Sequence, residues 1–340
     1  MNSIQLPKEN GISFLRYFLA SSLIMFHYYV ATDHAVPIWL GNGWRIKAFF
    51  ILTGLLTYYS YSKRPDAKAL FIRRFKGLVP MYALTILLCF IVGCLLTTMS
   101  FIDFITHPQS LKYLLANITF LNFIQPTLPG VFESHPLSAM DASLWTMKIN
   151  VMFYFTVPLV YKLLQRYPKQ YVMLTLLLLS IAYNETFIYL YNTTNNDIFT
   201  FLRRQIGGQY IFFLAGMALY FWYPQIKSKI WYLALPCLLL FVLSNFVWYN
   251  IYLTAVTYAI VIITICLHIP IFRRCNRLPN YTYGMYLFHF PIIQILVHFN
   301  IPQNHFVGGL MLTYVLTLSM AAIAHYFIDG KTPSVPLKGG

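Results

Sequence analysis

The sequence predicts an all-α, polytopic membrane protein of about ten transmembrane helices with one short re-entrant or interfacial helix. Three observations carry this reading: 59% hydrophobic against 10% charged residues, a mean hydropathy of +0.61, and apolar runs of spanning length separated by short basic loops. No internal repeat, low-complexity tract or polar linker divides the 340 residues, so residues 1–340 read as one transmembrane domain.

The first run, 12–31, is too long for a signal-peptide core and leads to no small-residue cleavage site, so it reads as the first span. Further runs of spanning length lie near 44–62, 78–98, 147–164, 171–190, 206–223, 230–248, 251–270, 281–299 and 306–328. The run Tyr113–Ile124 is too short to span and sits in the polar segment Ser100–Ser143, which makes it the re-entrant or interfacial element. With a cytoplasmic amino terminus the inner loops hold Lys8; Lys63, Arg64, Lys68, Arg73, Arg74 and Lys76; Lys162, Arg166 and Lys169; Lys227 and Lys229; Arg273, Arg274 and Arg277; and Lys331 and Lys338. The outer side holds only Arg45, Lys47, Lys112, Lys148, Arg203 and Arg204. This asymmetry satisfies the positive-inside rule, whereas an eleventh full span after Ser100 would invert every later cluster. Both termini are then cytoplasmic, and the segment 100–143, with Glu133, His135 and Asp141, faces outward.

The net charge of +15 could suggest nucleic acid, but the basic residues punctuate apolar runs and form no soluble basic face, so no nucleic-acid partner is expected. The five cysteines, Cys89, Cys94, Cys237, Cys266 and Cys275, have neither CxxC nor Cys/His metal spacing. Neither a disulfide framework nor a metal site is expected.

Ionisable groups inside spans cost roughly 2.5–3.5 kcal/mol each at a helix centre and point to function. The first run holds two, Arg16 and His27. Eleven residues of helix turn through about three full turns, so both project from one face, about 16 Å apart. His27 has the unperturbed pKa that suits a general base near neutrality. The plainer account has Arg16 reaching the headgroups and His27 in a structural polar contact. A secondary transporter or channel using the pair as a relay is the rival from another class, although no inverted repeat or pair of Gly-interrupted helices supports it.

The Arg-x10-His pattern resembles the first-helix motif of the acyltransferase 3 family of membrane O-acyltransferases. Other stretches agree in order: FFILTG (Phe49–Gly54) is similar to the family's FFxxSG, RRFKGLVPMY (Arg73–Tyr82) to RRxxRIxPxY, and SLWTMKINVMFYFTVP (Ser143–Pro158) to SLWxLxxExxFYxxxP. YTYGMYLFHFPII (Tyr281–Ile293) resembles SYxxYLxHxPI, and HYFID (His325–Asp329) resembles the closing YxxE. Together they cover about residues 12–330.

The resemblance implies an O-acyltransferase, at family level an O-acetyltransferase, in a bacterial inner membrane. The donor would be acetyl-CoA or another acyl-CoA docked from the cytoplasm. The acceptor would be a hydroxyl of a surface polysaccharide or lipid-linked saccharide. It implies His27 as base or acyl carrier, with Arg16 in the catalytic machinery, and a basic loop, Arg73, Arg74 and Lys76, for the phosphates of CoA. The same loop could serve only topology and anionic lipid headgroups. Two positions depart from the family: Gly77 stands for the second arginine of RxxR, and Asn150 for the glutamate, which an amide cannot replace as a charge or base. A member that has lost catalysis is therefore a further alternative. Glu133 and Asp141 are candidates to supply the missing acid. Trp145, Tyr283 and Tyr286 could line a cavity, and His289, just before Phe290 and Pro291 within a span, is a second candidate histidine.

Overall fold

In the computed structural model, residues 3–329 are described, and they are helical or irregular with no strand. Lys331 and Lys338 lie outside the described residues. The α-helices are α1 (Ile12–Ala31), α2 (Trp44–Lys63), α3 (Ala67–Leu96), α4 (Phe101–Thr106), α5 (Pro108–Ile118), α6 (Trp145–Arg166), α7 (Lys169–Thr194), α8 (Asp197–Arg203), α9 (Ile206–Ile226), α10 (Ile230–Val242), α11 (Ile251–His268), α12 (Pro270–Arg273), α13 (Thr282–His298), α14 (Ile301–Asn304) and α15 (Phe306–Ala324). A π-helical turn, Leu243–Val247, extends α10, and another, His325–Asp329, extends α15.

Among the described residues six helical stretches are long and apolar enough to cross a membrane: Ala67–Leu96, Trp145–Arg166, Lys169–Thr194, Asp197–Val247, Ile251–His268 and Phe306–Ile328. The 51-residue stretch Asp197–Val247 is interrupted at Lys227–Lys229 by a tight 3₁₀ turn. The other apolar runs are helical too: α1 carries Arg16 and His27, α2 carries Arg45 and Lys47, and α13 has 17 residues. Large apolar side chains point outward along these helices, Leu95 at 76% and Leu235 at 73% exposure, as lipid-facing surfaces do. Proline sits inside α3, α6, α9, α10 and α13, a placement that membrane helices tolerate.

Two stretches differ from the sequence reading. The basic residues 67–76 form no loop: they are the first turns of α3. The absence of any α-breaking residue between Ala67 and Lys76 lets the helix start well before its apolar portion. The short helix α5 begins at Pro108, capped by His107, and ends at Ile118. It stops short of Ile124 because Phe120 adopts φ 62°, a left-handed conformation that terminates the helix.

The chain divides into two compact units, each discontinuous in sequence. The first comprises the chain up to Leu19, Ile38–Phe71 and Ile149–Leu278; the second comprises Ala20–Pro37, Ile72–Lys148 and the chain from Pro279 onward. In the first, α2 and α9 pack backbone to backbone. A Cβ added at Gly54 would collide with the Phe213 carbonyl, and one at Gly216 with the Ile51 carbonyl. Lipid tails are as apolar as leucine, so such contacts, more than hydrophobic burial, hold membrane helices together. Phe50, Phe153, Phe213 and Tyr210 fill this core, with the Phe153 and Phe213 rings 4.6 Å apart.

In the second unit Tyr28 and Ala31 of α1 pack with Ile293 and Val297 of α13, against Phe306 and Leu310 of α15. The Tyr28 hydroxyl donates to the Phe306 carbonyl at 2.6 Å, and the Tyr314 hydroxyl to that of Ser21 at 2.6 Å. Gly284 permits a close approach to Ala321, 2.8 Å from where a Cβ would stand. The second unit thus joins the later half of α1 to α13 and α15.

Candidate active site

That packing places His27 against His289. The His27 Nδ1 and His289 Nε2 atoms are 2.7 Å apart, and the rings lie nearly parallel with centroids 5.0 Å apart. His289 is fully buried and His27 nearly so, with Phe290 edge-on to the His27 ring at 5.3 Å. The tautomers follow from the partners. His289 Nδ1 faces the Met285 carbonyl at 3.1 Å; a carbonyl only accepts, so Nδ1 carries the hydrogen and Nε2 the lone pair. His27 Nδ1–H then donates to that lone pair, which places the single acceptor lone pair of His27 on Nε2. A base whose other nitrogen is held by a fixed acceptor has one orientation and one tautomer, as in a histidine oriented by a third group.

Helix α13 also gathers the segment 135–146 of the second unit. Gln294, fully buried, donates from Nε2 to the carbonyls of Leu137 at 2.5 Å and Ala139 at 2.7 Å, and its Oε1 accepts from His135 Nδ1 at 2.9 Å. One turn before His289, Tyr286 hydrogen-bonds to the Ser143 carbonyl and, at 2.7 Å, to the Thr146 hydroxyl. Burial holds His135 below the ordinary histidine pKa; His298 reinforces this and the Gln294 bond opposes it.

Asp141 is buried and accepts from the Ser143 amide at 2.8 Å and hydroxyl at 2.6 Å through Oδ1, while its Oδ2 has no hydrogen-bond partner. Burial pushes its carboxyl up to about 7, against the pull of those two bonds. Glu133, the other candidate acid, is exposed and accepts from the Gly130 amide at 2.9 Å, closing its own turn. Tyr283 donates to the Leu78 carbonyl of α3 at 3.0 Å, and Trp145, half-buried, opens α6.

The remaining sequence candidates are distributed between the units. Arg73, Arg74 and Lys76 belong to the second, where Arg73 and Lys76, three apart on α3, share a face; both are exposed and Arg74 is half-buried. Gly77, beside them, has open space where a side chain would stand. Arg16 and Asn150 belong to the first unit. Arg16 is half-buried and close enough to Cys266 of α11 for its charge to be felt there. The Asn150 amide oxygen lies 3.4 Å from the Thr53 hydroxyl, so two of the quoted motifs meet within that unit. Arg45 and Lys47, which the sequence reading assigned to the outer side at the start of a span, lie in α2, which begins at Trp44, and both are buried in its first turns.

Sequence reasoning passed over Gln294 and these two cations. A strong amide five residues past a buried histidine, inside an apolar span, was the available signal for the first.

Apolar helices of spanning length, together with two helices that bury a hydrogen-bonded histidine pair between them, mark a polytopic helical membrane protein. The acyltransferase domain family model, Acyl_transf_3, matches residues 9–327, and the chain belongs to that family: it is an integral membrane acyltransferase. No curated protein and no solved structure matches the chain.

Proposed function

We propose that this acyltransferase is an O-acyltransferase that takes its acyl group from a cytoplasmic acyl-CoA, with acetyl-CoA as the expected donor. The acceptor is a hydroxyl of a surface polysaccharide or lipid-linked saccharide across a bacterial inner membrane. The observation that carries the reading is the His27–His289 pair. With Nδ1–H committed to His289, the Nε2 lone pair of His27 takes the acceptor's hydroxyl proton as the oxygen attacks the thioester carbonyl. Collapse of the adduct expels the CoA thiolate, which leaves with that proton. The same lone pair could instead accept the acyl group and pass it on. Arg73, Arg74 and Lys76 offer the donor's phosphates three cations within four residues of helix, and Arg16 guides the donor. Asp141, in place of the glutamate that Asn150 replaces, is the better candidate acid than the exposed Glu133. Trp145, Tyr283 and Tyr286 are the aromatic candidates to line the acceptor's path.

The test is acyl transfer from acetyl-CoA by purified wild type and His27→Ala, with thermal stability measured on both. A general base lost costs about 10²- to 10⁴-fold in rate. Wild-type turnover by a normally folded His27→Ala protein would overturn the assignment.

A further inference from the structure

The first unit buries a lysine without a carboxylate. Lys47 is 5% exposed; its ammonium donates to Asn245 Oδ1 at 2.6 Å and lies 4.7 Å from the Tyr249 ring centroid and 5.7 Å from that of Phe212. Among the described residues no Asp or Glu contacts it. It also stands in the first turns of a 20-residue helix whose N-cap, Gly43, offers no side-chain cap and whose first turn holds no acid. A helix amino terminus carries roughly half a positive charge, so a cation there is on the wrong end of the dipole. Arg45, 1% exposed, occupies the same turn, donating to the Leu40 carbonyl at 2.6 Å.

A second, independent observation comes from Asn245. It is fully buried, in the π-helical turn Leu243–Val247, and its backbone carbonyl accepts from Asn42 at 2.5 Å. With Oδ1 committed to Lys47, its Nδ2 amide has no partner, although leaving a buried donor unmade is costly. Further positive charge lies near: Arg203 and Arg204 both pull down the pKa of the Tyr249 hydroxyl, which burial raises. Glu185 accepts from Tyr252, whose hydroxyl also feels Arg203.

We propose that Lys47, the Asn245 amide and the amino-terminal turn of α2 form a binding site for a singly charged oxyanion, a carboxylate or phosphodiester. One ammonium, one unsatisfied amide donor and the helix dipole match one negative charge with several acceptor lone pairs. A saccharide bearing a carboxylate and a lipid headgroup both present that chemistry.

The test is thermal unfolding of the purified full chain in nonionic detergent, titrated separately with glucuronate, with phosphatidylglycerol in mixed micelles, and with glucose as the neutral control. We expect a saturable rise in Tm with an anionic probe and none with glucose; the probe that acts identifies the source as sugar-borne or lipid-borne. Lys47→Met should abolish the response. Asn245→Asp, which supplies Lys47 with an internal carboxylate, should raise the Tm of the free protein and also abolish the response, which separates loss of the site from loss of the fold. No response to either anion, a response to glucose, or an undiminished response in folded Asn245→Asp would overturn the proposal.

Discussion

The His27–His289 bond makes one imidazole the orienting group of another, and its removal is separable from removal of the base. His289→Phe keeps an aromatic ring in the pocket but deletes the acceptor of the His27 Nδ1 hydrogen, so His27 is no longer held to one tautomer. The expected outcome is a fall in kcat of at least about tenfold with the KM for acyl-CoA unchanged, read from steady-state kinetics. Arg16→Lys separates charge from geometry: it should leave partial activity if Arg16 supplies charge alone, and almost none if a planar fork grips a phosphate. Asp141 makes a pH prediction. Burial holds its carboxyl up at about 7, above the ordinary value of 3.8, so the fold favours the protonated form. Its contribution to stability is fully present below about 4 and is lost as pH rises toward 7. Asp141→Asn should flatten that decline between pH 4 and pH 7 in thermal unfolding.

The helices themselves were largely legible, because a bilayer demands long apolar helices and leaves few alternatives. The start of α3 was not, because charged residues that read as a loop by hydropathy are also good helix formers. The first-helix motif pointed to His27, but no periodicity could pair it with His289, 262 residues away; only the packing of α1 on α13 does so. The burial of Arg45 and Lys47 was not legible for the opposite reason: cations near a span boundary normally face water, and these are buried in the first turns of α2, which approaches its neighbours closely. That approach predicts that Gly216→Val, which drives a side chain into the Ile51 carbonyl, destabilises the protein by at least about 1–3 kcal/mol, seen as a lower Tm in detergent. Gln294→Leu should act on a single element. It strips the hydrogen bonds from His135, Leu137 and Ala139 and should leave the segment 130–143 cleavable by limited proteolysis while α13 stays folded.

For the molecule as a whole, we infer ten crossings with residues 100–143 outside, from the placement of Lys and Arg between the apolar runs. Ser134 is exposed, so Ser134→Cys in intact cells should react with an impermeant thiol reagent added outside; labelling only from the cytoplasm would reverse the topology. The interleaving of the two units bears on the order of biosynthesis. Each unit collects segments from early and late in the chain, so neither can close while the ribosome is still in the middle of the message. His27 enters the membrane with its helix but waits 262 residues for its acceptor, roughly 13–50 s at about 5–20 residues per second. Through that interval a polar ring sits in an unfinished bundle, dependent on lipid, water or an insertion factor for its hydrogen bond. A stop codon anywhere before α13 therefore removes more than a terminal helix, since it strands the catalytic candidate made at the very start of synthesis.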